Sequence, residues 1–484
     1  MPSGNNSMAA SNPSGIYGSY GDGSIRSAPI QPSDPEYISS DRHSRPRRLF
    51  FVVEQLFVVL LLLSSMNVIT ALSPSSKQQT EARTFSADVD VASVVIEAGI
   101  YTYGGFLLLL RWRRVVRAAR TVWPLLALAV LACVSTIWSV QPIVTFRRSV
   151  LLLAAVTLAI YVGERYSVKA FARLLTHTLC LMMVLVLLFY LVAPAYVVDY
   201  SAYGGAWKGL SAYKNTFGEH VAVAVLLLVL IRFHRFAWAR YVFLLIAAGL
   251  LFLSRSATAV VCGALSLAAI PVWRLMRGKQ RVVVCLLVVG TFSLGIYWIL
   301  AFPEAIFQVL GRDATLTGRT RLWAMLLPVI ANRPMLGYGY SAFWSGLKPE
   351  VLSLWIGAGR LVPVADNGYL DLGLSLGAVG VCLFLYLFIG AFRRAMQYAT
   401  WQPGFIGLWP VTYLCIFAAD NICESALLTR GTFPFLVFAI LTTSLWMNHK
   451  SLETAARTVD HKRFMPEWNA PMISRQHVVR VSGD

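Results

Sequence analysis

Charge is scarce in this 484-residue chain. Asp, Glu, Lys and Arg make up 13% of it, where a soluble domain carries roughly 25%, and hydrophobic residues reach 57% with a mean hydropathy of +0.63. That balance excludes an ordinary soluble fold. Acidic residues are scarcer still, 23 against 42 Lys and Arg, a net charge of +19. The excess would suit nucleic acid if the basic residues shared one polar surface. They are instead spread over short segments between apolar runs, as membrane-orientation signals are, so no nucleic-acid partner is expected. The seven cysteines (Cys133, Cys180, Cys262, Cys285, Cys382, Cys415 and Cys423) show no CxxC or Cys/His spacing, and read as small core residues. A P-loop, a GxSxG elbow, an HExxH pair and a dinucleotide glycine pattern are all missing, and residues 303–365 hold no histidine. Nucleotide-powered and zinc mechanisms are therefore set aside, and neither a cofactor nor a metal is expected.

What the chain has in abundance is long apolar runs. A bilayer-crossing helix needs about 20 mostly apolar residues. Twelve such runs lie near 49–72, 91–110, 121–139, 149–163, 173–193, 216–231, 240–254, 256–273, 282–302, 366–391, 404–421 and 431–447. The expected fold is all-α, a polytopic integral membrane protein of about twelve transmembrane helices. Residues 1–48, rich in Ser, Gly, Pro and Asn, read as a disordered cytoplasmic tail, and their apolar stretch comes too late for a signal peptide. Spans 1–9 fill 49–302, one large periplasmic loop fills 303–365, spans 10–12 fill 366–447, and 448–484 is a second cytoplasmic tail. With the N-terminus inside, 28 of the 42 Lys and Arg fall on the cytoplasmic face, RWRRVVRAAR at 111–120 and WRLMRGKQR at 273–281 among them. Both termini are then cytoplasmic.

Six of the 14 remaining cations sit in the 303–365 loop, among them Arg312, Arg319, Arg321 and Arg333, which orientation alone does not require. The same outer face collects the other polar clusters. They are Arg147 and Arg148; Lys208, Lys214, Asn215, Glu219 and His220; Arg255; Asp366, Asn367 and Asp371; and Asp420, Glu424 and Arg430. Each has a plainer structural reading. Arg147 and Arg148 can snorkel at a helix end, Lys214-Asn215 and Asp366-Asn367 can cap helices, Glu424 can pair with Arg430, and Arg319 and Arg321 can line the polar face of an interfacial helix over 317–331. Arg255 is the hardest to explain this way, because two spans meet there with almost no loop to solvate a charge.

Cations and a few carboxylates at one outer boundary suit group transfer from a lipid-linked pyrophosphate. Arginines would neutralise charge developing on the leaving group, and a carboxylate or histidine would take the proton from an acceptor hydroxyl. A secondary transporter fits less well: the halves show no similarity to each other, and the mid-span charges are few, chiefly Glu54 and Glu97.

Particular runs carry a resemblance. TGRTRLWAMLLPVIANRPMLGYGYSAFW followed by DNGYLDLGLSLGAVG is similar to the Wzy/O-antigen ligase superfamily, and more closely to its ExoQ-like exopolysaccharide polymerase branch. KGLSAYKNTFGEH, LSRSATA and CESALLTR resemble further motifs of that branch in order, so the likeness covers roughly 120–445. It implies a metal-independent, inverting, membrane-embedded glycosyltransferase joining undecaprenyl-pyrophosphate-linked repeat units at the periplasmic face. A ligase passing glycan to another acceptor is the nearest alternative. The resemblance implies a lipid-linked oligosaccharide substrate and membrane lipid as partners, with a flippase and a chain-length regulator beside it. Arg255 and Arg319 are the first positions it assigns to the pyrophosphate, then Lys214 and Arg148. Asp366, His220 and Glu424 join those two arginines as catalytic candidates. Arg147, Lys208, Asn215, Arg321 and Asn367 complete the substrate-binding set. Many relatives place His where this chain has Asp366 and Tyr213, so the base is Asp366, or His220 or Glu219, or the branch needs none.

Overall fold

The computed structural model describes residues 45–71, 91–200, 204–231, 233, 236–276, 319–346, 349–358, 362–402 and 404–463. The ninth expected span, Arg312, and most of both tails lie outside them. The chain divides into two units, Met1–Val53 and Glu54–Asp484. Only the opening of the first helix is described in the former.

Apart from one two-residue hairpin, the described residues are helices and their connections. They are α1 (Arg45–Ser65), α2 (Val91–Leu110), α3 (Trp112–Thr121), α4 (Trp123–Val134), α5 (Pro142–Arg165), α6 (Val168–Val192), α7 (Lys214–Leu230), α8 (Ala237–Leu253), α9 (Ala257–Met276), α10 (Arg319–Asn332), α11 (Pro349–Ala358), α12 (Gly368–Trp401), α13 (Trp409–Asp420) and α14 (Phe433–Arg463). The hairpin pairs β1 (Val198–Asp199) with β2 (Ala206–Trp207). Helices α5, α6 and α12 are long and apolar enough to cross a membrane, and α3 with α4 would make a fourth if the bent pair is one span. Leu49–Ser65, Val95–Leu110, Ala237–Leu253, Phe405–Asp420 and Phe433–Asn448 are apolar but shorter.

Two expected boundaries move. The fourth apolar run, 149–163, belongs to a 24-residue helix that starts earlier, at Pro142, because proline at the first helical position loses no intrahelical bond. The third run, 121–139, opens at a bend, and the basic segment 111–120 before it, expected as a connection, is itself helix α3. The chain bends by 94° between α3 and α4. Val122 sits at φ −101°, ψ 37°, and Pro124 has no N–H with which to continue α3's ladder.

The main core lies where α5, α6, α7, α13 and α14 meet. Gly163 of α5 touches α14 so closely that a Cβ there would lie 2.7 Å from the Ile440 carbonyl oxygen. Ser444 Oγ donates at 3.1 Å to the Gly163 and Tyr166 carbonyls, the small-residue and hydroxyl contact that joins helices in lipid. Phe417 and Phe438 stack beside it, centroids 4.7 Å apart.

The expected large loop is folded where it is described. Leu322 and Leu326 of α10, one turn apart, pack with Phe343, Val351, Leu354 and Trp355 and with Leu374 of α12 into a second, smaller core. Trp323 Nε1 donates to the Ala365 carbonyl at 2.9 Å and Trp355 Nε1 to the Val362 carbonyl at 2.8 Å.

A backbone exchange anchors this cap to α12. Gly377, at φ 62°, ψ −161°, breaks that helix. The Leu374 carbonyl, which would take the Ala378 N–H, instead accepts from Tyr338 at 2.7 Å, and Ala378 donates to Pro334 O at 2.8 Å. Likewise Ser375 O accepts from Gly339 and Val379 donates to Met335 O. The broken turn is thereby fully satisfied by residues 334–339. Gly337, at φ 65°, passes so near that a Cβ would lie 2.6 Å from Leu374 O. The sequence Arg333-Pro334…Gly337-x-Gly339 is thus the plug of a broken helix.

Candidate functional site

Five segments converge on one polar cluster: the start of α7, the turn between α8 and α9, the start of α10, the turn before α12, and the loop between α13 and α14. Arg319, the first described residue of α10, lies at its centre. Its Nη2 is 3.2 Å from Glu424 Oε1 and its Nε 3.6 Å from Asp366 Oδ2. All three side chains are 15–24% exposed. Glu424 Oε1 also accepts from Asn215 Nδ2 at 2.8 Å, and Asn215 Oδ1 accepts from Ser256 Oγ at 3.1 Å. The sequence candidates Arg319, Asp366, Glu424 and Asn215 are therefore brought together, and Ser256 joins them.

The backbone beneath them explains the residue types. Asp366 sits at φ 49°, a left-handed conformation that Asp tolerates better than most residues. Asn367, not Asp366, caps α12: its Oδ1 accepts from the N–H groups of Tyr369 and Leu370, both at 3.0 Å. Asn367 is tied across to the α13–α14 loop, its N–H to Ser425 Oγ and its Nδ2 to the Ile422 carbonyl. Gly368 is required because a Cβ would strike Asn421 Oδ1, and its N–H donates to Asn421 O at 2.9 Å. Gly218 performs the same service for α7, where a Cβ would lie 2.6 Å from Ala259 Cβ, so the Asn215 and Ser256 segments can approach.

Among the described residues, carboxylates outnumber cations in this cluster. Buried Asp420 and Glu219 act electrostatically on Glu424 or on each other, and Asp420 Oδ2 has no hydrogen-bond partner among the described residues. Burial pushes the Glu424 carboxyl above its ordinary pKa, against the opposing pull of Arg319 and the Asn215 hydrogen bond. Burial by itself would lower Arg319, but Glu424 and then Asp366 outweigh it and hold the guanidinium charged. The arrangement presents a proton-accepting carboxylate held by a cation and an amide.

The other candidates stand apart. Arg255 was expected to lack solvent. It is instead exposed on the α8–α9 turn at φ 49°, and its hydrogen bond among the described residues is from Nη1 to Gly204 O at 3.1 Å, beside the β1–β2 hairpin. Arg148 is engaged by Ser341 O, Ser341 Oγ and Ser345 Oγ, so it braces the 341–345 turn. Arg147 and Arg321 are exposed, and Lys208 and Lys214 are half-buried. His220 is fully buried, with Nδ1 3.4 Å from Ser211 Oγ and its ring edge on Phe433; it bonds to none of Arg319, Asp366 and Glu424. Glu424 pairs with Arg319 where the sequence suggested Arg430. Ser256 escaped the sequence reading, lying inside a quoted motif with no role. Asp371, named there only as one of a polar cluster, takes hydrogen bonds from Trp344 Nε1 and the Ala365 N–H, locking the cap to α12.

Apolar helices enclosing a clustered Arg, Asp, Glu and Asn at the edge of the bundle define a multi-pass membrane protein with a polar site. The comparisons narrow the class. Residues 241–385, which hold Arg255, Arg319 and Asp366, match the family described as O-Antigen ligase. The chain is 26% identical over 324 residues to the exopolysaccharide production protein ExoQ of Rhizobium meliloti (strain 1021), covering 61% of this chain and 71% of that one. Both findings bear out the ExoQ-like resemblance within the Wzy/O-antigen ligase superfamily.

Proposed function

We propose that this chain is a polysaccharide polymerase. It joins oligosaccharide repeat units carried on undecaprenyl pyrophosphate at the periplasmic face of the bacterial inner membrane, with twelve spans and both termini inside. The acceptor hydroxyl oxygen attacks the anomeric carbon of the donor, the bond from that carbon to the pyrophosphate oxygen breaks, and configuration inverts. The hydroxyl proton passes to a carboxylate, Glu424 or Asp366, both held by Arg319. The pyrophosphate leaves as an anion met by cations of the outer face. Arg255 is best placed for this, since its guanidinium is exposed and engages one carbonyl, whereas Arg319 and Arg148 are already engaged. The donor is already activated, so neither a nucleotide nor a metal is called for.

The observation that carries this reading is the Arg319 bridge between Glu424 and Asp366, most of which falls in or beside the family-matched segment. The family's description supports a second reading, ligase-type transfer of finished glycan to another acceptor. Deleting the gene and running lipid-linked and secreted glycans on a gel separates them. Single repeats left on lipid with no long polymer support the polymerase. Long polymer made but not attached to its final acceptor makes it a ligase, and unchanged glycans overturn both. A flippase and a chain-length regulator are the proposed neighbours.

A further inference from the structure

The site leaves unused the strongest basic feature of the described chain, α3, far along the sequence from Arg319. Orientation signals need only an excess of Lys and Arg on one face of the membrane. Helix α3 is built more specifically. Val115 and Ala118 are buried, while Arg113, Arg117 and Arg120 recur at i, i+4 and i+7 on an exposed stripe. With Val116 and Thr121 they line a cleft of about 320 Å³. Among the described residues no carboxylate pairs with these arginines. Arg113 rests over the Trp112 ring at 5.8 Å.

The bend fixes where this stripe lies. At 94° to α4, α3 runs across the direction of that apolar helix rather than along it. Trp112 and Trp123, 57% and 51% exposed, flank it at either end, where amphipathic rings mark a membrane–water boundary. A basic amphipathic helix lying in that plane meets lipid phosphates. We propose that the Arg113–Arg117–Arg120 cleft binds the phosphate of an anionic phospholipid headgroup. The inference is independent of the glycan chemistry, because it concerns other residues and a ligand that is not the substrate.

Each basic residue near an anionic surface is worth about 1 kcal/mol, roughly a fivefold change in affinity, so three make about a hundredfold. The test uses the full chain reconstituted in nanodiscs of phosphatidylcholine with a fluorescent phosphatidylglycerol as probe. Wild type is expected to enrich phosphatidylglycerol around itself over phosphatidylcholine. R113Q/R117Q/R120Q is expected to lose that enrichment by about a hundredfold in apparent affinity. Because those changes also remove orientation signals, R113K/R117K/R120K keeps the charge but not the planar fork, and is expected to fall between the two. Equal enrichment in wild type and the Gln variant overturns the proposal. Full retention in the Lys variant overturns the cleft as well, leaving only diffuse surface charge.

Discussion

Replacing Arg319 with Ala removes the cation that bridges Glu424 and Asp366. Breaking a buried ion pair by deleting one partner costs roughly 3–5 kcal/mol, whereas exposed pairs contribute about 0–1. The side chains here are 15–24% exposed, so water screens part of the loss, and about 2–3 kcal/mol is expected. Arg319→Lys is the informative partner. Nε and Nη2 of one planar group reach two different carboxylates, at 3.6 and 3.2 Å, and a single ammonium cannot span both. Lys is expected to recover about half of the stability but little activity. A double-mutant cycle with Glu424→Gln isolates the pair, read by denaturation in detergent and by the glycan ladder of cells carrying each variant. A coupling of at least about 1 kcal/mol is expected. Additive effects, within about 0.5 kcal/mol, would refute the bridge as the organising contact of the site.

Further outcomes follow from the same geometry. The Glu424 carboxyl is raised by burial, so activity that needs it ionised climbs with pH through a midpoint above the ordinary carboxylate range, and a pH–rate profile of Glu424→Gln loses that limb. The same shift makes the folded state bind more protons, so its stabilising contribution is full below the unfolded-state value and is lost as pH rises through the raised one, measurable by denaturation across pH. Asp366→Asn preserves the left-handed backbone that Asn also tolerates, so protein level holds while polymer falls if the carboxylate takes the proton; an unchanged glycan ladder removes Asp366 from that role. Arg255→Lys keeps charge but loses the fork and is expected to lower polymer by at least about tenfold at normal protein level, an effect that wild-type yield would contradict. Gly337→Ala drives a methyl toward Leu374 O at 2.6 Å and strains φ 65°, so loss of folded protein in a detergent extraction assay is expected.

Much was legible in the sequence because lipid imposes simple constraints. With no water to satisfy backbone groups, apolar runs of bilayer length become helices, and those of the expected runs that are described fall on helices. The order of the polar motifs was also readable, as was the capping power of Asn367 before an apolar helix. The fold then decided what spacing along the chain cannot carry. Arg319 and Glu424 are 105 residues apart, and only the packing of α7 against α9 through Gly218, and of the α12 start against Asn421, brings Asn215, Ser256, Arg319, Asp366 and Glu424 together. Partner choice depends on those distances, so Arg148 became a brace, and Arg255, expected to lack solvent, stayed open to it. The bend at Val122 and the exchange of hydrogen bonds at Gly377 likewise arise from backbone groups meeting across the tertiary structure. Composition sets which solvent each segment prefers; the three-dimensional packing sets which charges meet.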